Sequence, residues 1–516
     1  MTRPDLPNIN RRRKYLAAAV AGLVAAVGVW IISAPPGPAL DPDAASYLGA
    51  AESLAHGRGY RIPIADWRSA DSTSALAHFP PGYPTALAVP IALGVTRAVA
   101  ARLVNAAAAF VTIAVAAALV TSVAGLLAGM LLAAALLVMH AVVIVHLSVL
   151  SEPLFLACLV CAAAAMERDR QAPNERARLG TAALAGAAAA GAVLVRYAGI
   201  AAVAAVVLWC AAPAASVRIR ARRALVAALP AVILFGAWVV RSYLMSGPRS
   251  IRALGPYGEF GETLAMGFST LVAWLVPLTS DDTLPMRSWI ALCLLAGLAF
   301  VVTRGALAAR GTPAGGVLAA LATLAICYIV VLVASRLLAD PGIPFDERIL
   351  VPLFLLVAIA VAITLAVWWR AAGRIARGAA AAVLVAWFAA SLRASEDDVE
   401  WVLENGSDFA QAQWTASPLL AWARTNAAGR PLYSNWPAAI VFHLHRAARE
   451  VPNDSTAALL GAFADTLRAR AGVVLAFDQP SPDQIGVTAL ARAPGLRAVT
   501  RFADGTVFAP ETPRTR

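Results

Sequence analysis

Between Lys14 and Arg393 the chain is a succession of apolar runs, each close to the roughly 20 residues a helix needs to cross a bilayer and separated by short charged or Pro/Gly-rich breaks. A chain patterned in this way is expected to put most of its surface against lipid. Composition agrees: of 516 residues 60% are hydrophobic and 14% charged, and the mean hydropathy is +0.71, well outside the range of an ordinary soluble domain. Channels, transporters and membrane enzymes all fit this description.

The formal net charge of +12 is carried almost wholly by arginine, Lys14 being the only lysine. On a membrane protein such an excess reads as arginine held in cytoplasmic loops rather than as a nucleic-acid surface. The five cysteines, Cys158, Cys161, Cys210, Cys293 and Cys327, all fall inside apolar runs, so neither a disulfide framework nor a zinc cluster is expected in the aqueous loops. Cys158 and Cys161 spell C-x-x-C, but within one hydrophobic helix they read as packed thiols.

Arg11-Arg12-Arg13-Lys14 precedes the run Tyr15 to Ser33, which places the N-terminus, residues 1–14, in the cytoplasm. A cleaved signal peptide fits less well, because the run is as long as a full span and no small-x-small cleavage site precedes the Pro-rich break. The following runs are 103–123, 126–145, 153–166, 181–195, 200–215, 224–244, 289–302, 317–333, 349–369 and 379–392. The piece from Tyr83 to Gly94 is too short to cross and reads as an interfacial helix. With about eleven spans every arginine-rich turn falls on the side of the N-terminus. Residues 34–102, 146–152, 245–288 and 334–348 then share the outer side with everything after Arg393.

From Ala394 the composition turns mixed, over a length sufficient for a core of its own. Pro431 to Ser434 and Gly472 to Phe477 read as strands, Trp436 to Arg446 and Ser455 to Arg470 as helices, and Ala498 to Phe508 as a hairpin turning at Asp504-Gly505. The expected organisation is a membrane domain, 15–393, carrying an outer loop at 34–102, followed by a small extracytoplasmic α/β domain at 394–516.

That outer loop holds Asp41-Pro-Asp43-Ala-Ala-Ser-Tyr47, then Arg58-Gly-Tyr60-Arg61, then His78-Phe-Pro-Pro-Gly-Tyr83-Pro84. The layout resembles the GT-C glycosyltransferases of the protein mannosyltransferase and aminoarabinose transferase type, glycosyltransferase family 39 among them. In them an acid four residues before a tyrosine opens the first outer loop and a Pro-Pro-Gly-Tyr-Pro segment closes it. The resemblance covers most of residues 15–450 through short motifs, and it departs at Ala44, where many members carry a second acid. It implies an all-α polytopic membrane fold of about eleven helices with the small C-terminal domain. It also implies an inverting transferase that moves a sugar from a polyprenyl-phosphate donor to an extracytoplasmic glycan, lipid or protein hydroxyl. Asp43 would be the catalytic carboxylate, with Asp41 as its rival. Arg348, in Arg348-Ile-Leu-Val-Pro352, matches the family's segment near the lipid phosphate, and Glu152 an acid of the second outer loop.

Each residue also has a plainer reading. Asp-Pro-Asp ahead of Ala-Ala-Ser-Tyr is a proper helix start, so either aspartate can be a cap. Ser151-Glu152-Pro153 likewise starts a helix with a charge that suits its dipole, against a role in catalysis or in orienting an acceptor or divalent cation. Transfer needs a base for the acceptor hydroxyl and cations for the departing phosphate, and arginine pairs bidentately with phosphate. Arg348, Arg196, Arg58 and Arg61 are the candidates, and snorkelling to the membrane surface is the alternative for each. Tyr47, His78 and Tyr83 complete the candidate substrate contacts. His443 and His445 are one residue apart on a helix and make a poor metal pair. A secondary transporter would carry its charges mid-span, whereas the acids here cluster in outer loops. A non-catalytic envelope assembly protein remains the other rival.

Overall fold

A computed structural model describes residues 6–34, 37–212, 216–247, 254–257, 259–277, 284–340, 342–482 and 484–511. Its contacts divide the chain into two compact units. A helical unit comprises 1–34, 77–83 and 101–400, and a sheet unit comprises 35–76, 84–100 and 401–516. Most of the expected outer loop thus belongs to the same unit as the C-terminal segment, whose boundary falls at 400/401.

Each of the eleven apolar runs is mainly helical over its described residues. Among the described residues eight helices are long and apolar enough to cross a membrane: Arg12–Ile32, Arg97–Ala124, Glu175–Val195, Val217–Ser246, Met286–Ala308, Pro313–Leu338, Glu347–Ala371 and Arg374–Asn405. The chain is a multi-pass membrane protein. Glu152–Gln171 is not among the eight, because Glu167-Arg168-Asp169-Arg170 sit in its last turns, and Ile200–Ala211 is short. The run expected as one span at 126–145 is two helices, Leu126–Val138 and His140–Leu147, bent by 61° at Met139. At the break Ser395 Oγ donates to the freed carbonyl of Val138 at 3.0 Å, and at the far end of the second helix Asn105 Nδ2 donates to the carbonyls of His146 and Ser148 at 3.1 and 2.6 Å. The expected outer loop 245–288 also contains a helix, Phe260–Leu275.

Small residues let these helices approach closely, as association in lipid requires. At Gly186 a Cβ would meet the backbone of Ala227, so helices Glu175–Val195 and Val217–Ser246 touch main chain to main chain there. The core around Phe155, Leu156, Leu324, Val351 and Leu355 is fully buried.

The sheet unit contains β1 (Arg61–Ile62), β2 (Ile64–Ala65), β3 (Ser74–Ala75), β4 (Leu432–Ser434), β5 (Ala448–Glu450), β6 (Val473–Phe477), β7 (Leu496–Arg501) and β8 (Gly505–Pro510). β1 and β3 pair with each other, and the other six form one sheet in the order β2-β5-β4-β6-β8-β7. The pairs from β2 to β6 are parallel, those from β6 to β7 antiparallel. The strands expected at 431–434 and 472–477 emerge as β4 and β6, the hairpin at Asp504-Gly505 joins β7 to β8, and the helices expected at 436–446 and 455–470 are Pro437–Leu444 and Ala457–Ala469. The edge strand β2 comes from the first outer loop, with Ile64 opposite Ala448. Arginines fasten that loop: Arg449 Nη2 donates to the Ala70 carbonyl at 2.8 Å and Arg470 Nη1 to that of Ser69 at 2.7 Å. Trp67 meets Phe463 edge-on.

Candidate active site

In the sheet unit, helix Pro42–Ala55 opens as its sequence dictates. Asp41 is the cap, its Oδ1 accepting from the backbone N of Asp43 at 3.0 Å, and Pro42 fills the first helical position where no N–H is needed. Capping therefore falls to Asp41, and Asp43 stands in the first turn, half-buried. Tyr47, one turn on, is buried. Arg61 is engaged locally: Nε donates to Thr73 Oγ1 at 2.9 Å and Nη2 to Asp71 Oδ2 at 3.1 Å, bracing the β1–β3 turn. Arg58 is exposed.

The helical unit holds the other candidates. His78 lies edge-on to Phe79. Tyr83 is fully buried, and its hydroxyl donates to Asn105 Oδ1 at 3.1 Å, a contact that continues through Asn105 to the end of helix His140–Leu147. Glu152, Arg196 and Arg348 come together. Glu152 is completely buried at the start of its helix. Its Oε1 is 2.5 Å from Arg196 Nη1 and also accepts from Arg348 Nε. Ser151 Oγ reaches Glu152 Oε2 at 3.3 Å and accepts from Arg196 Nη1 at 3.2 Å.

Local sequence explains both arginines. Arg196 is extended (φ −144°, ψ 137°) where helix Glu175–Val195 ends, just before the 3-10 turn Tyr197–Gly199. Arg348 is in the first turn of Glu347–Ala371, capped by Asp346 Oδ1 accepting from Ile349 N at 2.9 Å. Pro352 lacks the N–H that would bond the Arg348 carbonyl, which keeps this turn open. Burial pushes the Asp346 carboxyl above its usual range, against the cap hydrogen bond and the Arg348 charge that draw it down. The arginine side chains keep 16% and 26% of their surface accessible while Glu152 keeps none. A guanidinium has five N–H donors, so gripping Glu152 does not exhaust it. One carboxylate thus orients two forks suited to an oxyanion.

Among the described residues no group of three or more His, Cys, Asp and Glu side chains is placed to hold a metal ion. Glu152, with two guanidiniums on one oxygen, does not fit a divalent-cation ligand.

No family model matches the chain, and no curated protein matches it in sequence. Solved structures do. The arabinofuranosyltransferase AftD from Mycobacteria is 17% identical with a TM-score of 0.53, the match covering 97% of this chain and 41% of that one. An oligosaccharyltransferase from Archaeoglobus fulgidus, solved with Zn and sulfate, is 13% identical with a TM-score of 0.52, covering 89% of this chain and 68% of that one. The chain has the GT-C fold. ArnT from Cupriavidus metallidurans bound to undecaprenyl phosphate is 14% identical with a TM-score of 0.48, covering 95% of this chain and 97% of that one.

Sequence reasoning passed over a second polar group in this GT-C chain. The His140 ring lies between two carboxylates, Nδ1 2.6 Å from Glu347 Oε2 and Nε2 2.5 Å from Asp398 Oδ2. It donates from both nitrogens only as the imidazolium. Residues 140, 347 and 398 share no spacing that a sequence could reveal; the one available signal was that Glu347 adjoins Arg348.

Proposed function

We propose that this GT-C chain is an inverting integral-membrane glycosyltransferase that moves a sugar from a polyprenyl-phosphate donor to an extracytoplasmic hydroxyl on a glycan, lipid or protein. The observation that carries the reading is the buried Glu152 with Arg196 and Arg348 on one of its oxygens. A buried charge cluster at helix ends in a membrane protein is costly to keep and is by default functional, and the arginine forks match phosphate geometry.

In this reading Asp43 takes the proton from the acceptor hydroxyl. The hydroxyl oxygen bonds to the anomeric carbon as the carbon–oxygen bond to phosphate breaks, with inversion, and the lipid phosphate leaves carrying the electron pair. Arg348 and Arg196 stabilise the charge that develops on that phosphate. Glu152 holds the two arginines in place. The membrane is taken to be the bacterial inner membrane, with the N-terminus cytoplasmic and the C-terminal segment outside, on the distribution of arginine.

The test is turnover by the purified chain of a panel of radiolabelled undecaprenyl-phosphate sugars. Asp43→Asn is expected to lower turnover by about 10²–10⁴-fold, the usual contribution of a general base, while still binding undecaprenyl phosphate. Arg348→Gln is expected to weaken that binding. Wild-type turnover of no member of the panel, or an Asp43→Asn variant as active as wild type, overturns the reading. A broken helix such as the one at Met139 is also a device of carriers; transport of the lipid-linked sugar without bond cleavage would favour that class.

A further inference from the structure

Arg336 stands in the last turn of helix Pro313–Leu338 and is only 4% exposed. A cation there suits the helix dipole, but near a membrane surface such a side chain ordinarily snorkels outward, and this one runs inward. Its Nε donates to Thr263 Oγ1 at 3.1 Å, its Nη2 is 3.5 Å from Glu262 Oε1, and its Nη1 donates to the Ile343 carbonyl. Keeping a charge buried at the end of a span is costly, so the question is what this one holds.

It holds irregular backbone. Ile343 to Phe345 has no regular structure and Pro344 has no N–H to give, so the carbonyls here need donors from elsewhere in the protein. Arg336 meets that of Ile343, and Thr270 Oγ1 donates to that of Phe345. Thr263 and Thr270 lie about two turns apart on helix Phe260–Leu275 and so share a face. Thr263 Oγ1 donates its own proton to the Glu259 carbonyl at 2.9 Å, which leaves it lone pairs for Arg336. The residue after Phe345 is Asp346, the cap of helix Glu347–Ala371. Beyond the cap Tyr328, on the same helix as Arg336, donates its hydroxyl to the Ile349 carbonyl at 2.7 Å. Helix Pro313–Leu338 therefore grips the backbone on either side of Arg348.

We propose that Arg336 is a positioning residue for Arg348: by gripping the Ile343 carbonyl it fixes the approach to the helix start, and with it the direction in which the Arg348 side chain leaves. Glu152 holds Arg348 at the guanidinium; Arg336 holds it from the backbone side. That Arg336 acts through Arg348 follows from these contacts; that the fork so aimed meets a lipid phosphate rests on the glycosyltransferase reading.

The experiment is a double-mutant cycle on the full chain in detergent, read as affinity for undecaprenyl phosphate. Arg336→Gln is expected to weaken binding by about tenfold, within the range of one hydrogen bond to a charged group. In an Arg348→Gln background it is expected to weaken binding no further, because the two residues belong to one chain of contacts. Thr270→Val loosens the same loop without touching a charge; it should show the same coupling with a smaller loss, and it replaces Arg336→Gln if that variant does not fold. Affinity unchanged in both single variants, or losses that add to that of Arg348→Gln, overturns the proposal, since an arginine that only supports the fold would lower affinity whatever stands at position 348. If the wild-type chain binds no undecaprenyl phosphate, the phosphate reading of the arginine cluster falls. Hydrogen exchange then decides the positioning role: faster exchange of the Ile349 and Leu350 amides, which bond to Asp346, supports it in Arg336→Gln, and unchanged exchange overturns it. Coupled losses in a chain that turns over no lipid-linked sugar would sink the transferase reading and leave the positioning role standing.

Discussion

The two polar clusters at the start of helix Glu347–Ala371 are charge mirror images. Around Glu152 one carboxylate sits between two guanidiniums; around His140 one imidazole sits between two carboxylates. Consecutive residues, Arg348 and Glu347, serve one each, because neighbours on a helix point about 100° apart. The clusters differ in burial. Glu152 has no exposure, whereas the His140, Glu347 and Asp398 side chains keep 33%, 29% and 46%. The difference teaches which carboxylate is structural: a fully buried charge must keep its partners, while a half-exposed one can exchange a protein partner for a ligand.

Breaking the mirror on the buried side should have the larger effect. Glu152→Ala removes the buried carboxylate that both guanidiniums grip, and removing one member of such a buried cluster costs about 3–5 kcal/mol. Thermal unfolding of the detergent-solubilised chain should show this, with Glu152→Asp recovering part of it. On the half-exposed side His140→Leu should cost only about 1 kcal/mol, since water screens what the ring held. An equal loss in the two variants would erase the contrast. Both should leave the sheet unit untouched, and that unit offers a smaller effect of its own. Burial first, and then the charges of Arg424 and His445, lower the pKa of His443 below 6.5, opposed by its hydrogen bond to the Phe409 carbonyl. The unfolded chain therefore binds this proton more readily than the folded one. The contribution is complete above 6.5 and is lost as pH falls towards the folded value. Denaturation followed by pH should show acid sensitivity in that window, reduced in His443→Gln.

The helices were legible because each apolar run forces its backbone to satisfy itself. The break at Met139 was not, since Leu126 to Val145 has no proline and a single polar residue, His140, and the freed Val138 carbonyl is met by Ser395 from elsewhere in the chain. Helix Phe260–Leu275 was missed between Gly- and Pro-rich flanks. Glu152, Arg196 and Arg348 were each readable as helix-end charges, but their meeting was not, because nothing local joins positions 152, 196 and 348. Either aspartate of Asp41-Pro-Asp43 could cap the helix by sequence, and which one does depends on which oxygen faces which N–H: Asp41 Oδ1 accepts from Asp43 N. The bracing of Arg61 by Asp71 and Thr73 likewise gives that arginine a local task that its motif did not announce.

The two-residue strand Ile64–Ala65 finds its partner roughly 380 residues later in the chain, and at ribosomal rates of about 5–20 residues per second that partner follows after about twenty seconds or more. Until then the first loop waits with an open edge, while Ser69 and Ala70 lack the arginines that will hold them. Any product released before Ala448 would leave that edge unpaired, so the first loop gains its sheet neighbour only once β5 has been made.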